Sequence, residues 1–159
     1  MNADYYGWNS TTQALFLHQV HAIAHLPSGA QCLFVPLTDD IGAKLYYTEC
    51  ARNSAASTQQ MAFTKDLAPR VGDSFHIDWN NLFVAQPDGL TAEFRRISIY
   101  GYLTQRAQTG GPFERQAISA LIRRLNALGA VENYDDSDAN FGVIDGRLVC
   151  IDFDEGSWT

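Results

Sequence analysis

Near the C-terminus, the run Phe141-Gly-Val-Ile144, Asp145-Gly146, Arg147-Leu-Val-Cys-Ile151 leaves the backbone little choice. An Asp-Gly pair between apolar runs is the strongest short-range signal of a two-residue β-hairpin, because both central residues of such a turn need positive φ. With Asp145 and Gly146 as the loop, Ile144 pairs with Arg147 and, counting outward, Asn140 pairs with Ile151. Asn140 and Asp152 then meet at the open end of the ladder. A strict pleat sends them to opposite faces, so a shared ligand requires the chain to leave the ladder near Asp152.

Upstream, Ser10-Thr11-Thr12 caps a predicted helix running to about His25, with Phe16, Val20, Ile23 and Ala24 on one stripe. Gln31 to Leu37 and Ala43 to Tyr47 are short β-rich runs around Thr38-Asp-Asp40, and predict a first hairpin. Ser54 to Lys65 is helix-compatible and stops before Leu67-Ala-Pro69. Residues 74–77, 82–85 and 96–103 read as strands. Glu114 to Leu128 reads as an amphipathic helix with Ile118, Leu121, Ile122, Leu125 and Leu128 on one face and Gly129 at its end. The order predicts an α+β domain.

The length of 159 residues suits one domain, able to bury about 70% of its unfolded surface. The net charge of −7 is unevenly spread: residues 131–159 hold eight acids against Arg147, and the other residues are balanced. An acidic chain without a basic stripe is a poor binder of nucleic acid or of anionic membranes. No apolar run reaches a transmembrane length and no secretory leader is evident. Cys32, Cys50 and Cys150 form no C-x-x-C pair, which points to a reducing, cytoplasmic setting; for a secreted effector this is the host-cell cytoplasm.

Asp135 stands five residues before Asn140, giving Asp-x-x-x-x-Asn, then the hairpin, then Ile-Asp152-Phe-Asp. In this the chain resembles the protein-kinase-like superfamily, antibiotic phosphotransferases included, in which an Asp-x-x-x-x-Asn catalytic loop and a later Asp motif flank a short hairpin. The resemblance covers residues 28–156. It implies a minimal kinase-like fold: an N-terminal helical extension (1–27), an N-lobe-like antiparallel sheet with one helix (28–106), and a reduced C-lobe of one helix plus the catalytic-loop hairpin (107–159). It implies ATP and Mg2+ as cofactors. Asp135 sits where the base that orients the acceptor hydroxyl belongs, and Asn140 and Asp152 sit at the two magnesium positions. Lys44, roughly ninety residues before Asp135, occupies the place of the phosphate-binding strand lysine. Thr104 to Arg106 takes the place of the linker at the nucleotide.

The same resemblance marks departures. Gly29 alone stands for the Gly-rich loop, and Gln59 or Gln60 stands where the helix carries a Glu to pair the lysine. Glu49 lies too close to the strand for that role, Asn133 replaces a His, and Asp154 replaces the motif glycine. The chain ends seven residues after Asp152, so the resemblance implies that substrate docking comes from a protein partner or a protein substrate. The alternative is a catalytically inactive scaffold, an inhibitor, immunity protein or adaptor, whose acidic end engages a basic partner. The residues by themselves leave plainer readings open: a solvated acidic loop at Asp135, Asp136 and Asp138, and an edge-strand lysine at Lys44.

Overall fold

The computed structural model describes residues 6–21, 32–85, 92–129 and 136–153. Among them the protein is α+β, with three α-helices, a four-stranded sheet and a two-stranded hairpin. It divides into two compact units, Met1–Arg52 with Gly72–Thr104, and Asn53–Val71 with Gln105–Thr159.

In the first unit, helix α1 (Ser10–His21) is capped one residue earlier than the Ser-Thr-Thr reading expects. Asn9 Oδ1 accepts from the amides of Thr11 (3.0 Å) and Thr12 (3.1 Å), and Thr12 Oγ1 accepts from the Asn9 amide in return (2.9 Å). This reciprocal box satisfies backbone donors that a helix start leaves without partners. Phe16 is fully buried, while residues 22–25, including Ile23 and Ala24 of the expected stripe, lie outside the described residues.

Strands β1 (Leu33–Pro36) and β2 (Ile41–Tyr46) form the expected first hairpin, antiparallel, with Phe34 opposite Lys44 and Val35 opposite Ala43. Thr38 closes its turn, its Oγ1 accepting from the amides of Asp40 and Ile41. Helix α2 (Glu49–Phe63) starts five residues before the expected Ser54, because Thr48 caps it: Ala51 N donates to Thr48 Oγ1 at 3.1 Å and Arg52 N to Thr48 O at 3.2 Å.

The two separate runs expected at 74–77 and 82–85 belong to one strand, β3 (Val71–Ala85), and β4 spans Ala92–Gln105. Asp78, a turn former by type, stays in the strand with its carboxylate accepting from Ser98 Oγ at 2.7 Å and lying 3.2 Å from His76 Nε2. The sheet order β1-β2-β4-β3 puts Lys44 on an inner strand, so the edge-lysine reading does not hold.

One sheet face is apolar. Val35, Leu37, Ile41, Ala43, Leu45, Phe75, Ile99 and Leu103 pack with Phe16 and Tyr6, and Trp8 stacks on Phe75 at 4.0 Å. Burying one such aromatic contributes about 2–3 kcal/mol.

In the second unit, helix α3 (Arg115–Asn126) buries Ile118, Leu121 and Leu125, and Gly129 adopts φ +101° just past it. These side chains pack with Ala62, Leu67, Ala68, Phe141, Cys150 and Phe153. The hairpin β5 (Phe141–Ile144) and β6 (Arg147–Cys150) has the register expected from sequence, Ile144 with Arg147 and Phe141 with Cys150. Asp145 and Gly146 take φ +49° and +77°, the turn that the Asp-Gly pair predicts.

Candidate functional site

Alternation along β2 sends Ile41, Ala43 and Leu45 to the apolar core and Lys44 and Tyr46 to the opposite face. Lys44 is 7% exposed, unusual for a lysine without polar company. Part of that company is tyrosine. Lys44 Nζ lies 5.9 Å from the centroid of the Tyr102 ring. The Tyr46 and Tyr102 rings are parallel within 9°, with centroids 6.1 Å apart. Burial pushes the Tyr102 phenol above the ordinary tyrosine range, while the nearby charge of Lys44 pulls the other way.

Thr104 follows on the same face of β4 and is fully buried. Phe34, opposite Lys44, is one of the exposed large apolar side chains, its ring lying over Gly42, where a Cβ would come within 2.2 Å of Cζ.

The candidate magnesium residues belong to the second unit. One step beyond the β5–β6 ladder, the Ile151 amide donates to the Asn140 carbonyl at 2.9 Å, the pairing read from the Asp-Gly turn. Asn140 ends a 3-10 turn, Asp138–Asn140, in which Ser137 Oγ accepts from Ala139 N at 3.4 Å and the Asp138 carboxylate accepts from Arg115. Asp152 is anchored from both sides: Cys150 Sγ donates to its carbonyl at 3.4 Å, and the next residue, Phe153, is buried in the core. Gln108 exchanges two 2.9 Å backbone hydrogen bonds with Val143, so the outer edge of β5 is also held.

Asn140 and Asp152 are both half-buried. One amide oxygen and one carboxylate suit a hard cation that completes its octahedron with phosphate and water. Among the described residues there is no group of three or more His, Cys, Asp or Glu able to hold a metal unaided.

The expected site residues fall into three groups. Lys44 and Thr104 lie in the first unit; Gln59, Gln60, Arg106, Asn140 and Asp152 lie in the second; Asp135 and Gly29 lie outside the described residues. Gln59 is fully buried and its Nε2 donates to Pro69 O at 3.0 Å, whereas Gln60 is exposed. Glu49 opens α2 and pairs with Arg52 at 3.7 Å. Tyr46, Tyr102 and Arg52 are the polar residues that sequence reasoning missed; the signal for Tyr102 was the alternation in Tyr100-Gly-Tyr102-Leu-Thr104.

Comparison of the chain with protein-family models, with curated proteins and with solved structures finds no match. Among the described residues no helix is long and apolar enough to cross a membrane.

Proposed function

We propose that this chain is a reduced kinase-like domain that binds ATP with Mg2+ and transfers the γ-phosphoryl group to a hydroxyl of a protein partner. The observation that carries the reading is the pairing of Asn140 with Ile151, which sets a carboxamide and the following Asp152 at the open end of one hairpin. The order of elements supports it: a strand with a buried lysine, a helix, two strands, a second helix, then the hairpin and its Asp.

In this reading Lys44 neutralises phosphate charge, Asp135 orients the acceptor hydroxyl, and Asn140 and Asp152 hold the metal. Bound Mg2+ supplies charge neutralisation at the phosphate oxygens, and the rest of the task is positioning, which few side chains can accomplish. Gly29 offers backbone to the phosphates, and Thr104 to Arg106 serves as the nucleotide linker. The reading sets the protein in the cytoplasm, in keeping with Cys32, Cys50 and Cys150 forming no disulfide.

The test is a thermal-shift titration with ATP, with and without Mg2+. A rise in melting temperature that Mg2+ enlarges and that Asp152→Ala removes supports the reading. A flat response in both series refutes it.

One observation favours a second reading, a kinase-like scaffold without turnover. Gln59, one of the two glutamines that stand for the lysine-pairing acid, carries no charge and directs its amide to Pro69. Such a scaffold captures a basic partner through the acidic end. Charge reversal at Asp136 then weakens capture in a salt-dependent way and Lys44→Ala leaves it unchanged.

A further inference from the structure

We propose that the groove between α1 and the β1–β2 turn of the first unit docks an extended segment of a partner protein, one in which apolar side chains stand next to lysine or arginine. The inference is independent of the nucleotide reading above, and the surface lies apart in sequence from the acidic C-terminal region.

The groove has two parts that share a wall. Leu15, Leu37 and Ile41 line a cavity of about 340 Å3 with Thr11 and Thr38. A second, more open depression of about 450 Å3 shares Thr11 and Leu15 and continues to Ala14 and His18. Thr11, Leu15 and His18 follow the i, i+4, i+7 spacing of one helix stripe, so the groove runs two turns along α1, roughly 10 Å. About three extended residues cover that length, and the first and third of them point the same way. The groove therefore accepts two apolar side chains separated by one residue.

Both walls are set before a ligand arrives. The reciprocal hydrogen bonds of Asn9 and Thr12 fix the start of α1. Across the groove, Thr38 Oγ1 accepts from the Asp40 and Ile41 amides, and the Leu37 and Thr38 amides donate to Ile41 O at 2.9 and 3.0 Å. A preformed groove avoids the ordering cost that a flexible one meets on binding.

Charge selects the partner. Asp39 and Asp40 are exposed at the tip of the turn, between the lining residues Thr38 and Ile41, and among the described residues neither has an ion-pair partner. The helix end offers little to a competing anion, because Asn9 Oδ1 already accepts from the Thr11 and Thr12 amides. Two carboxylates beside an apolar trough complement a basic residue next to the apolar anchors and repel an acidic one.

The test is fluorescence anisotropy of the full chain, without nucleotide, against a dye-labelled peptide of leucine, serine, leucine, lysine and lysine, made in both chain directions. Saturable binding with Kd below about 1 mM is expected in at least one direction. Neutralising the turn by Asp39→Asn with Asp40→Asn should weaken it about three- to tenfold. Thr11→Trp, a change at an exposed position bordering both parts, should fill the groove and abolish binding.

Absence of saturable binding in both directions overturns the proposal, as does parental affinity in a folded Thr11→Trp variant. Equal affinity for a peptide with glutamates in place of the lysines overturns the basic partner. A concentration-dependent dimer in ultracentrifugation that Thr11→Trp abolishes also overturns it, since the occupant is then a second copy. If Thr11→Trp does not fold, Ala14→Trp, at another exposed lining position, takes its place with the same outcomes decisive.

Discussion

Replacing Arg52 by Met is expected to destabilise the protein more than removal of any exposed charge. Arg52 is 8% exposed, and its Nη1 donates to Phe75 O at 3.0 Å and to Gly101 O at 3.3 Å. Its guanidinium also lies 5.7 Å from the centroid of Tyr100, whose other neighbour is the stacked ring of His76 at 4.5 Å. A hydrogen bond from a charged donor contributes roughly 1.5–3 kcal/mol, and a partly desolvated cation–ring contact about 0.5–1 kcal/mol. The longer bond adds a fraction of the first. The loss for Arg52→Met, which keeps the apolar stem, is therefore about 3 kcal/mol, or some 6–12 °C in melting temperature for a chain of this size. Glu49→Gln is the control. The Glu49–Arg52 pair is 3.7 Å apart with Glu49 64% exposed, and such pairs contribute below about 1 kcal/mol. The assay is urea unfolding followed by far-ultraviolet circular dichroism. A midpoint for Arg52→Met within 1 kcal/mol of the parent, or a loss for Glu49→Gln as large as that for Arg52→Met, refutes the reasoning, because either would make the exposed ion pair rather than the backbone carbonyls the purpose of the guanidinium.

Other perturbations separate rigid from yielding contacts. A Cβ at Gly101 would lie 2.4 Å from Phe75 Cζ and 2.8 Å from the Lys44 carbonyl, so Gly101→Ala is expected to cost about 2 kcal/mol or more; Gly42→Ala first meets the exposed Phe34 ring and should cost under about 1 kcal/mol, both read from urea midpoints. Gly146→Val places a β-branched residue at φ +77° and should destabilise by about 1–2 kcal/mol while abolishing any Mg2+-dependent part of the ATP thermal shift, since the same turn sets the Asn140–Ile151 pairing. Tyr102 and Tyr47 both titrate above the ordinary value of 10.0 because burial disfavours their phenolates. The folded state thus holds these two protons longer than the unfolded one, so the contribution of the two phenols to stability is constant well below pH 10 and is lost as pH rises beyond it; Tyr102→Phe should flatten that fall, measured as melting temperature against pH.

What could be read from the sequence follows from how local each determinant is. The Asp145-Gly146 turn needs nothing beyond its own dihedral preferences, and the register it implies for Asn140 and Ile151 is the one observed. The apolar stripe of α3 needed only its period. The start of α2 was misjudged because Tyr46-Tyr47 has the composition of a strand, and the capping role of Thr48 is visible only once the amide of Ala51 is seen to reach it. The continuity of β3 was misjudged for a tertiary reason: Asp78 stays extended because Ser98 and His76 satisfy its carboxylate. Tyr102 was passed over because its partner, Lys44, is distant in sequence and near only through the pairing order of the sheet.

The acidic C-terminal region, which composition offers as one surface, is divided by the structure into residues with different tasks. Asp138 is tied to Arg115 by an ion pair, and Arg115 Nη1 also donates to the Asp136 carbonyl at 3.1 Å, so the segment leading into Asn140 is fastened to the start of α3. Charge reversal at Asp138 would therefore disturb the approach to Asn140 together with any partner contact. Asp136 engages Arg115 through its backbone, and its residue is exposed. A substitution there alters surface charge and leaves the fastening intact. On the proposed reading, Asp136→Lys is therefore expected to weaken capture of a basic partner while any Mg2+-dependent ATP stabilisation stays at its parental value, and Arg115→Ala is expected to do the reverse. If both variants lose both properties, partner binding and metal binding depend on one and the same loop conformation, and the acidic region cannot be treated as a docking surface separate from Asn140 and Asp152.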